Sequence, residues 1–346
     1  MISGMNVKNN ENKNFIKTGI SVLAMLGIIT VMIGLSQILG EKEIIFPEIA
    51  ALSAGLFLAP KRSWQVSGIR MIMLISVCAV CGVAIVRYVP LPLLGQMILA
   101  FAVCQVILGF SRTTFAPMIS AMVLPVLLQT DQWIYPLAAS GLTALIVLLY
   151  RVLIRAGVCK AETYEPVPVP DRAGWLDAGK RVLLAAGLVT VFLAAGWQFC
   201  VAPPLLVAFQ EFSNPRSKAR NVPVKTVTVI AACAGIGAYG RLFLTETAGV
   251  PLTLTAVLTA AGTAAVLLGG KLYLPPAGAL AVLPMLLPAA ALALYPVMVL
   301  GGASAMMLLA RLFFRTEDAA ESAAEAEGSA YWKTHTARDG VSSGTY

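Results

Sequence analysis

Histidine is almost absent from this 346-residue sequence, and its scarcity excludes several kinds of functional site. The single histidine, His335, lies in the C-terminal tail, so histidine metal sites, haem ligation by histidine and Ser-His or Cys-His catalysis have no basis. A phosphate-binding glycine motif is also missing. We therefore expect no enzyme and neither a metal nor another cofactor.

Charged residues are scarce as well, at 12% of the chain, whereas hydrophobic residues make up 58%. Such a chain has too little polar surface to fold in water, so lipid is its natural solvent. Between Phe15 and Arg315 the sequence is a series of apolar runs of roughly 15 to 25 residues, and a helix of about 20 residues crosses a bilayer. Lipid cannot satisfy free backbone groups, and these runs lack the alternating polarity of barrel strands. We predict an all-α polytopic membrane protein.

Cysteine is present six times, mostly inside the apolar runs, where a thiol behaves as a small hydrophobic group. Cys78 and Cys81 form a C-x-x-C pair that is typical of redox or metal sites. The pair has neither a second C-x-x-C partner nor a nearby histidine, so we interpret it as a packing feature.

Charged residues, prolines and glycines divide the apolar part of the chain into about twelve transmembrane segments. Their approximate bounds are 15–39, 45–60, 66–88, 90–110, 115–130, 134–154, 181–200, 201–214, 223–243, 250–269, 273–289 and 291–314. The second, fifth, eighth and eleventh are short. The first apolar run is too long for the core of a signal peptide, and we interpret it as a membrane span.

The distribution of basic residues predicts the orientation of these segments. With a cytosolic N-terminus, all but Lys42, Arg87 and Arg241 of the 25 lysines and arginines face the cytosol. Positive charge is typical of cytosolic loops, so we predict a multi-pass protein of the bacterial-type inner (plasma) membrane with both termini cytosolic. The net charge of +8 is then explained by topology and by contact with membrane lipid, and a nucleic-acid partner is not expected.

The composition divides the chain into five parts. They are a polar N-terminal segment (1–14), a first transmembrane unit (15–155), a polar linker (156–180), a second transmembrane unit (181–315) and an acidic, then Ser/Gly/Thr-rich tail (316–346) that we expect to be disordered. The linker carries a Pro-Val-Pro-Val-Pro run ending at Pro170, which favours an extended, semi-rigid conformation.

The two transmembrane units resemble each other at an offset of 155 to 160 residues. The matched pairs are Pro60-Lys61 with Pro215-Arg216, Arg70 with Lys225, Arg112 with Lys271, Pro117 with Pro276, Tyr135-Pro136 with Tyr295-Pro296, Arg151 with Arg311 and Arg155 with Arg315. Proline, arginine and Tyr-Pro matches in unbroken order indicate a duplication. Because each unit has an even number of segments, the sequence predicts two parallel six-helix repeats, some of whose helices are short or broken by proline.

Proline marks the starts of the four short segments. These starts are Phe46-Pro47, Phe115-Ala116-Pro117, Ala202-Pro203-Pro204 and Leu274-Pro275-Pro276. Free N–H groups and the helix dipole make helix starts attractive to anions, and Arg112 and Lys271 lie five residues before Pro117 and Pro276. This pattern favours an anion-binding element. In the alternative interpretation, the two cations are cytosolic anchors and the prolines only begin helices.

Two carboxylates lie within apolar segments. Glu211 is followed by Arg216, Lys218 and Arg220, so it either pairs with one of these cations or faces a cavity and takes up a proton during coupled transport. Both interpretations remain open at the sequence level. Glu48 lies near the predicted outer surface, where we expect an interfacial position.

The second half of the chain resembles the HPP family of integral membrane proteins, which is named for a His-Pro-Pro motif. The matching stretches are 202–204, 214–221 and 274–281, and the resemblance extends more faintly over 15–155. Leu274 stands in the place of the family's histidine, and Phe115-Ala116 stands there in the first copy. Members of the family have been linked to nitrite transport, so the resemblance implies a small-anion transporter.

We therefore expect a transporter or channel for a small solute, in particular an anion, with its site between the repeats; the family resemblance implies a nitrite-like ion. The predicted substrate-binding residues are Arg112, Lys271, Pro117, Pro275, Pro276, Pro203, Pro204, Arg220 and Asn221, and Glu211 is the predicted coupling residue. One alternative is an accessory subunit whose basic face binds lipid or a partner. Another is an efflux pump for aromatic or lipophilic acids, because such a pump also needs basic residues. A homo-oligomer is compatible with the sequence.

Overall fold

The computed structural model describes residues 2–61 and 63–314 of the chain. Helices joined by loops account for these residues, and no strand occurs among them. The helices are α1 (Ile2–Leu39), α2 (Glu48–Ser53), α3 (Gly68–Tyr88), α4 (Leu93–Ser111), α5 (Met118–Leu128), α6 (Ile134–Arg155), α7 (Arg172–Ala194), α8 (Pro203–Phe212), α9 (Lys218–Asn221), α10 (Pro223–Gly240), α11 (Leu252–Gly270), α12 (Pro275–Val282), α13 (Ala289–Leu292) and α14 (Tyr295–Phe313). Arg315 and the predicted tail 316–346 lie outside the described residues.

Short irregular turns extend several helices. The π-helical turns Ala54–Leu58 and Arg241–Thr247 continue α2 and α10, and 3₁₀ turns occupy Lys42–Ile44, Gln198–Val201 and Leu283–Met285. The predicted polar segment 1–14 is not separate in the backbone, because α1 begins at Ile2 and runs on to Leu39.

Within the described residues, seven helices are long and apolar enough to cross a membrane. They are α1 from Phe15, α3, α4, α6, α10 with its π turn, α11 and α14, and their mean hydropathies lie between 1.7 and 2.5. The large side chains on their outer surfaces are mostly Leu, Ile, Val and Phe, as expected for contact with lipid. The chain is therefore an all-helical, multi-pass membrane protein.

Helix α7 is long but more polar than these seven. It begins at Arg172, inside the predicted linker, and carries Asp177, Lys180 and Arg181 in its first half. Lys180 and Asp177 form an exposed ion pair at 3.1 Å. The predicted span 181–200 is therefore displaced: the helix starts earlier and ends at Ala194.

Four short helices, α2, α5, α8 and α12, are buried along almost their whole length. At about 1.5 Å per residue, a helix as short as α5 reaches only about half of a hydrocarbon core roughly 30 Å thick. Of the twelve predicted segments, seven correspond to described helices that are both long and apolar enough to cross a bilayer alone. Proline occupies the first position of α8 and α12, where its missing N–H costs nothing.

The short helices form the centre of the molecule and the long helices surround them. Helix α2 packs against α12, and α5 packs against α8. Around this centre, α3 and α4 pack against α5, while α10 and α11 pack against α12. The outer contacts cross between the halves of the chain, because α1 lies against α11 and α7 lies against α4.

Candidate functional site

A cavity of about 950 Å³ opens between the two halves of the chain at the end where α2, α4, α8 and α11 finish. Its walls are residues 59–61, 63 and 64 after α2, the end of α4 with the loop to α5, the linker and first half of α7, the end of α8 with the following loop, and residues 271–275. Both halves of the chain thus contribute to one cavity.

Cations dominate the charged side chains of this cavity. The described lining includes six basic residues and one carboxylate: Lys61, Arg112, Lys160, Arg181, Lys218, Lys271 and Glu211. An excess of positive charge in a concave, partly enclosed site raises the local concentration of anions. The cavity is therefore electrostatically suited to an anion.

Arg112 and Lys271 occupy matching positions in this lining. Each caps a long helix, α4 or α11, in the left-handed conformation, with φ of 56° for Arg112 and 49° for Lys271. This conformation usually requires glycine, and the strain costs roughly 1–2 kcal/mol for another residue. Both turns direct the chain from the surface into the core, where α5 and α12 begin, and both side chains stay exposed at the cavity.

A hydrogen-bonded chain of polar side chains connects three helices beside the cavity. Arg181 of α7 donates from Nη1 to Gln105 Oε1 of α4 at 2.9 Å, and Gln105 Nε2 donates to Gln210 Oε1 of α8 at 3.0 Å. Among the described residues, Arg181 Nε has no acceptor although the atom is buried. This network fixes the guanidinium of Arg181 on α7 and leaves one of its donors free.

Trp64 and Glu211 form a second polar feature of the wall. Trp64 is only 3% exposed and packs edge-on against Phe115, with ring centroids 5.5 Å apart. Glu211 approaches the indole N–H, but the pair does not reach hydrogen-bonding geometry, and the N–H has no acceptor in the described part of the chain. Glu211 also forms no ion pair with a described residue, so it faces the cavity rather than a cation.

Aromatic rings line the cavity next to the cations. Trp64, Trp175 and Tyr273 all belong to its wall. Trp175 lies on α7 and contacts Phe110 of α4, with ring centroids 5.2 Å apart. Its ring fits where α4 has Gly109, because a Cβ at that position would come within 2.5 Å of the indole. Rings and cations side by side suit an anion that carries an aromatic or apolar body.

The proline-rich linker is part of the cavity wall. The hydroxyl of Tyr164 and the N–H of Val167 both donate to the carbonyl of Arg112, at 2.8 and 2.9 Å. The guanidinium of Arg70 lies over the Tyr164 ring, 5.1 Å from its centroid. The linker is non-helical as far as Asp171, where its proline run ends, and this part is docked on the end of α4.

The structure brings together only some of the predicted site residues. Arg112, Lys271, Glu211 and Pro275 line the cavity. Pro117 and Pro276 lie at the starts of α5 and α12 but do not line it. Pro203 and Pro204 begin α8 at the far end from the cavity, which is reached by the last turn of that helix. The four proline-marked helix starts therefore do not converge on one cavity.

Arg220 and Asn221 also lie outside the lining. Arg220 is 8% exposed and donates to the carbonyls of Phe212 at 3.3 Å and Phe314 at 2.6 Å, so it ties the ends of α8 and α14 together. Burial, and then the nearby Arg311, lower the pKa of the Arg220 guanidinium. Asn221 is exposed at the end of α9.

Sequence reasoning missed several lining residues and misplaced one carboxyl. Trp64, Gln105, Trp175 and Arg181 were not predicted, and only Arg181 carried a signal, since it is a charge inside an apolar helix. Glu48, expected at an interface, is 1% exposed in the centre of the molecule, outside this cavity. Its burial was overlooked because the short helix α2 begins well inside the fold.

Neither a metal-binding cluster in the described residues nor a similar protein identifies a function for this site. No group of three His, Cys, Asp or Glu residues able to hold a metal occurs in the described residues. The cysteines there are all unpaired thiols, and Cys78 is buried, in line with packing. Comparison with protein-family models, with curated proteins and with solved structures gives no significant match to this chain.

Proposed function

We propose that this protein is a membrane transporter or channel for anions and that the basic cavity is its substrate site. The observation that carries the proposal is the cavity of about 950 Å³ whose described charged lining is six cations and one carboxylate. In a low-dielectric surrounding, such a site attracts and orients an anion far more strongly than an exposed patch does. Two of the apolar helices able to cross a membrane, α4 and α11, end at this cavity, which supports a place for it in a transport path.

The size and the aromatic wall of the cavity favour a bulky anion as the first substrate class to test. Ligand pockets of this order, about 300–1,000 Å³, enclose drug-sized molecules. A nitrite-like ion, which the family resemblance suggests, would contact only a small part of such a wall. Trp64, Trp175 and Tyr273 supply ring faces beside the cations, so we propose a carboxylate on an aromatic ring as substrate.

Membership of the HPP family remains part of this proposal rather than a finding. Leu274, at the position of the family's histidine, is 1% exposed and contributes to the cavity wall next to Pro275. A family activity that needs an imidazole would therefore have to use another group here. The cations Arg112 and Lys271 are present in its vicinity.

We also propose that the membrane region consists of two parallel copies of one six-segment unit. Arg112 and Lys271 share an unusual left-handed conformation at equivalent helix ends. Tyr135 donates its hydroxyl to the Ala121 carbonyl, and its counterpart Tyr295 donates to the Leu280 carbonyl, both at 2.9 Å. The α1–α11 contact likewise has an α7–α4 counterpart. Repeated contacts of this kind support a duplicated unit.

The flux of anions through the purified protein tests this function. We expect proteoliposomes containing the wild type to take up radiolabelled benzoate, nitrite or both. Replacing Arg112 and Lys271 by alanine should lower the rate about tenfold or more at subsaturating substrate, because each cation contributes charge-assisted contacts. Arg151→Ala with Lys225→Ala is the matched control, since both residues are exposed and neither lines the cavity.

Two outcomes would contradict the proposal. Unchanged flux in the Arg112→Ala, Lys271→Ala protein would remove these residues from the site. The absence of flux for all anions in a folded wild-type protein, together with co-purification of a stable partner, would favour the accessory-subunit function.

A further inference from the structure

Glu48 lies at a barrier between two cavities. The basic cavity reaches Ala116, at the start of α5. A smaller cavity of about 190 Å³ on the opposite side of the molecule reaches Leu124 of α5 and Tyr135 of α6. Ser120 lies four residues from both Ala116 and Leu124, on the same face of α5, and it approaches the Glu48 carboxyl. About 12 Å of helix therefore separates the two cavities, with Glu48 and Ser120 between them.

The Glu48 carboxyl has no charge partner in this position. The only ion pairs among the described residues are Lys180–Asp177 and Arg241–Glu246, both elsewhere. Glu48 is 1% exposed and Ser120 is 0% exposed. Glu48 Oε2 and Ser120 Oγ are both without a hydrogen-bond partner in the described part of the chain. Burying a neutral polar group without a hydrogen bond costs roughly 2 to 7 kcal/mol. An ionised carboxylate left unpaired at such depth costs more than that.

The elements packed around Glu48 offer no compensating charge. Helix α12 carries no titratable residue, and α1 carries none after Lys17. The titratable groups that face the carboxyl are the phenols of Tyr135 on α6 and Tyr295 on α14. Both hydroxyls are already committed as donors to backbone carbonyls, those of Ala121 and Leu280.

We propose that Glu48 is a proton-binding site that couples anion movement to proton movement across this barrier. At rest the carboxyl is protonated and neutral. In the cycle it releases its proton to water in one cavity, becomes a carboxylate for a short time, and takes a proton from water in the other cavity. Ser120 is a positioning residue, because its hydroxyl lies beside the carboxyl and has no other partner in the described part of the chain. This inference rests on the proposed transport function only for its coupling role.

Infrared spectroscopy of the full-length protein in lipid tests the proton site without any substrate. We expect the wild type at neutral pH to show the carbonyl stretch of a protonated, dehydrated carboxylic acid. In a Glu211→Gln background, which removes the partly buried carboxyl of the basic cavity, Glu48→Gln should abolish that band, whereas Glu165→Gln, an exposed control, should keep it. Glu48→Asp, which keeps a carboxyl, should shift the band rather than remove it. A wild type without the band, or a band that survives Glu48→Gln in that background, would overturn the proton site.

Proteoliposomes separate this inference from the proposed function. With radiolabelled benzoate as the probe, an imposed pH gradient should change the wild-type rate several-fold, and Glu48→Gln should lose this response. If benzoate and nitrite move but ignore the gradient in the wild type, the coupling role is wrong while the transport function stands. If no anion moves, the coupling role falls with the transport function, and the infrared result alone decides whether Glu48 holds a proton.

Discussion

The buried cation Arg220 and the exposed cations Arg112 and Lys271 differ in the groups that they can bind. Arg220 is almost fully buried and gives its donors to two carbonyls at helix ends. Arg112 and Lys271 are exposed at the cavity, and their side chains make no hydrogen bond or ion pair to the described residues. A cation that bonds no protein group can bond a ligand, so the second pair is available to the proposed site, whereas Arg220 holds helix ends together.

Arg220→Met should destabilise the protein without a specific effect on anion binding. The substitution leaves the carbonyls of Phe212 and Phe314 without their donor, which costs about 1–3 kcal/mol for each buried group. We expect a lower apparent melting temperature in detergent, measured by intrinsic fluorescence. Arg216→Met, at an exposed neighbouring position, is the control and should leave the melting temperature nearly unchanged. Equal melting temperatures for both variants would contradict the structural role of Arg220.

At the scale of helices, the short central helices depend on close backbone contact with their long neighbours. Gly82 of α3 lies against the Met122 carbonyl of α5, and Gly237 of α10 lies against the Ala281 carbonyl of α12. A Cβ at either glycine would overlap the carbonyl group. Small residues that allow such approach are typical of membrane helix interfaces. The short helices therefore stay central only while these two positions lack a side chain.

Gly82→Ala and Gly237→Ala should each lower stability, since the new methyl group meets a backbone carbonyl that cannot rotate away. Overpacking of this kind costs typically about 1–3 kcal/mol. Gly141→Ala on α6 is the control, because nothing lies within 4 Å of its added Cβ. The retention of folded protein after heating, followed by size-exclusion chromatography, measures the effect. A control that loses as much protein as the two variants would refute the close contact.

The linker is an element whose docking can be tested. Tyr164→Phe removes the hydroxyl that donates to the Arg112 carbonyl at 2.8 Å, a bond worth about 0.5–1.5 kcal/mol. We expect the linker to be cleaved several-fold faster by a protease of broad specificity. Val169→Ala, at an exposed linker position, should leave the rate unchanged. Equal cleavage of wild type and Tyr164→Phe would show that the linker is not held by this contact.

At the scale of the whole molecule, orientation decides what the basic cavity can take up. Lys160 lines the basic cavity, and Lys42 lines the smaller cavity at the opposite end. Basic residues gather on the cytosolic side of membrane proteins. We therefore place the large cavity towards the cytosol, with the small one facing outwards.

Thiol labelling in intact cells tests this orientation. In a cysteine-free background, Lys42→Cys should react with a membrane-impermeant maleimide, whereas Lys160→Cys should react only after the membrane is opened. Lys160 lies in the linker and Lys42 begins the short 3₁₀ turn after α1, so both are outside the long helices, and labelling depends on the side of the membrane rather than on unfolding. The opposite pattern would place the basic cavity on the outside and reverse the proposed direction of access.

The sequence by itself determined the helical class and much of the charge pattern. Long apolar runs can satisfy their backbone groups in lipid only as helices, and matching Arg112 and Lys271 followed from spacing alone. Tertiary structure decided the rest. Among the described residues it gave seven helices that are long and apolar enough to cross a membrane. It also placed Pro203 away from the cavity, assigned Arg220 to helix ends and moved Glu48 from an expected interface to the core. How deeply a side chain is buried, and which cavity it faces, depend on how the short helices α2, α5, α8 and α12 pack against the long ones. No local pattern in the sequence carries that information.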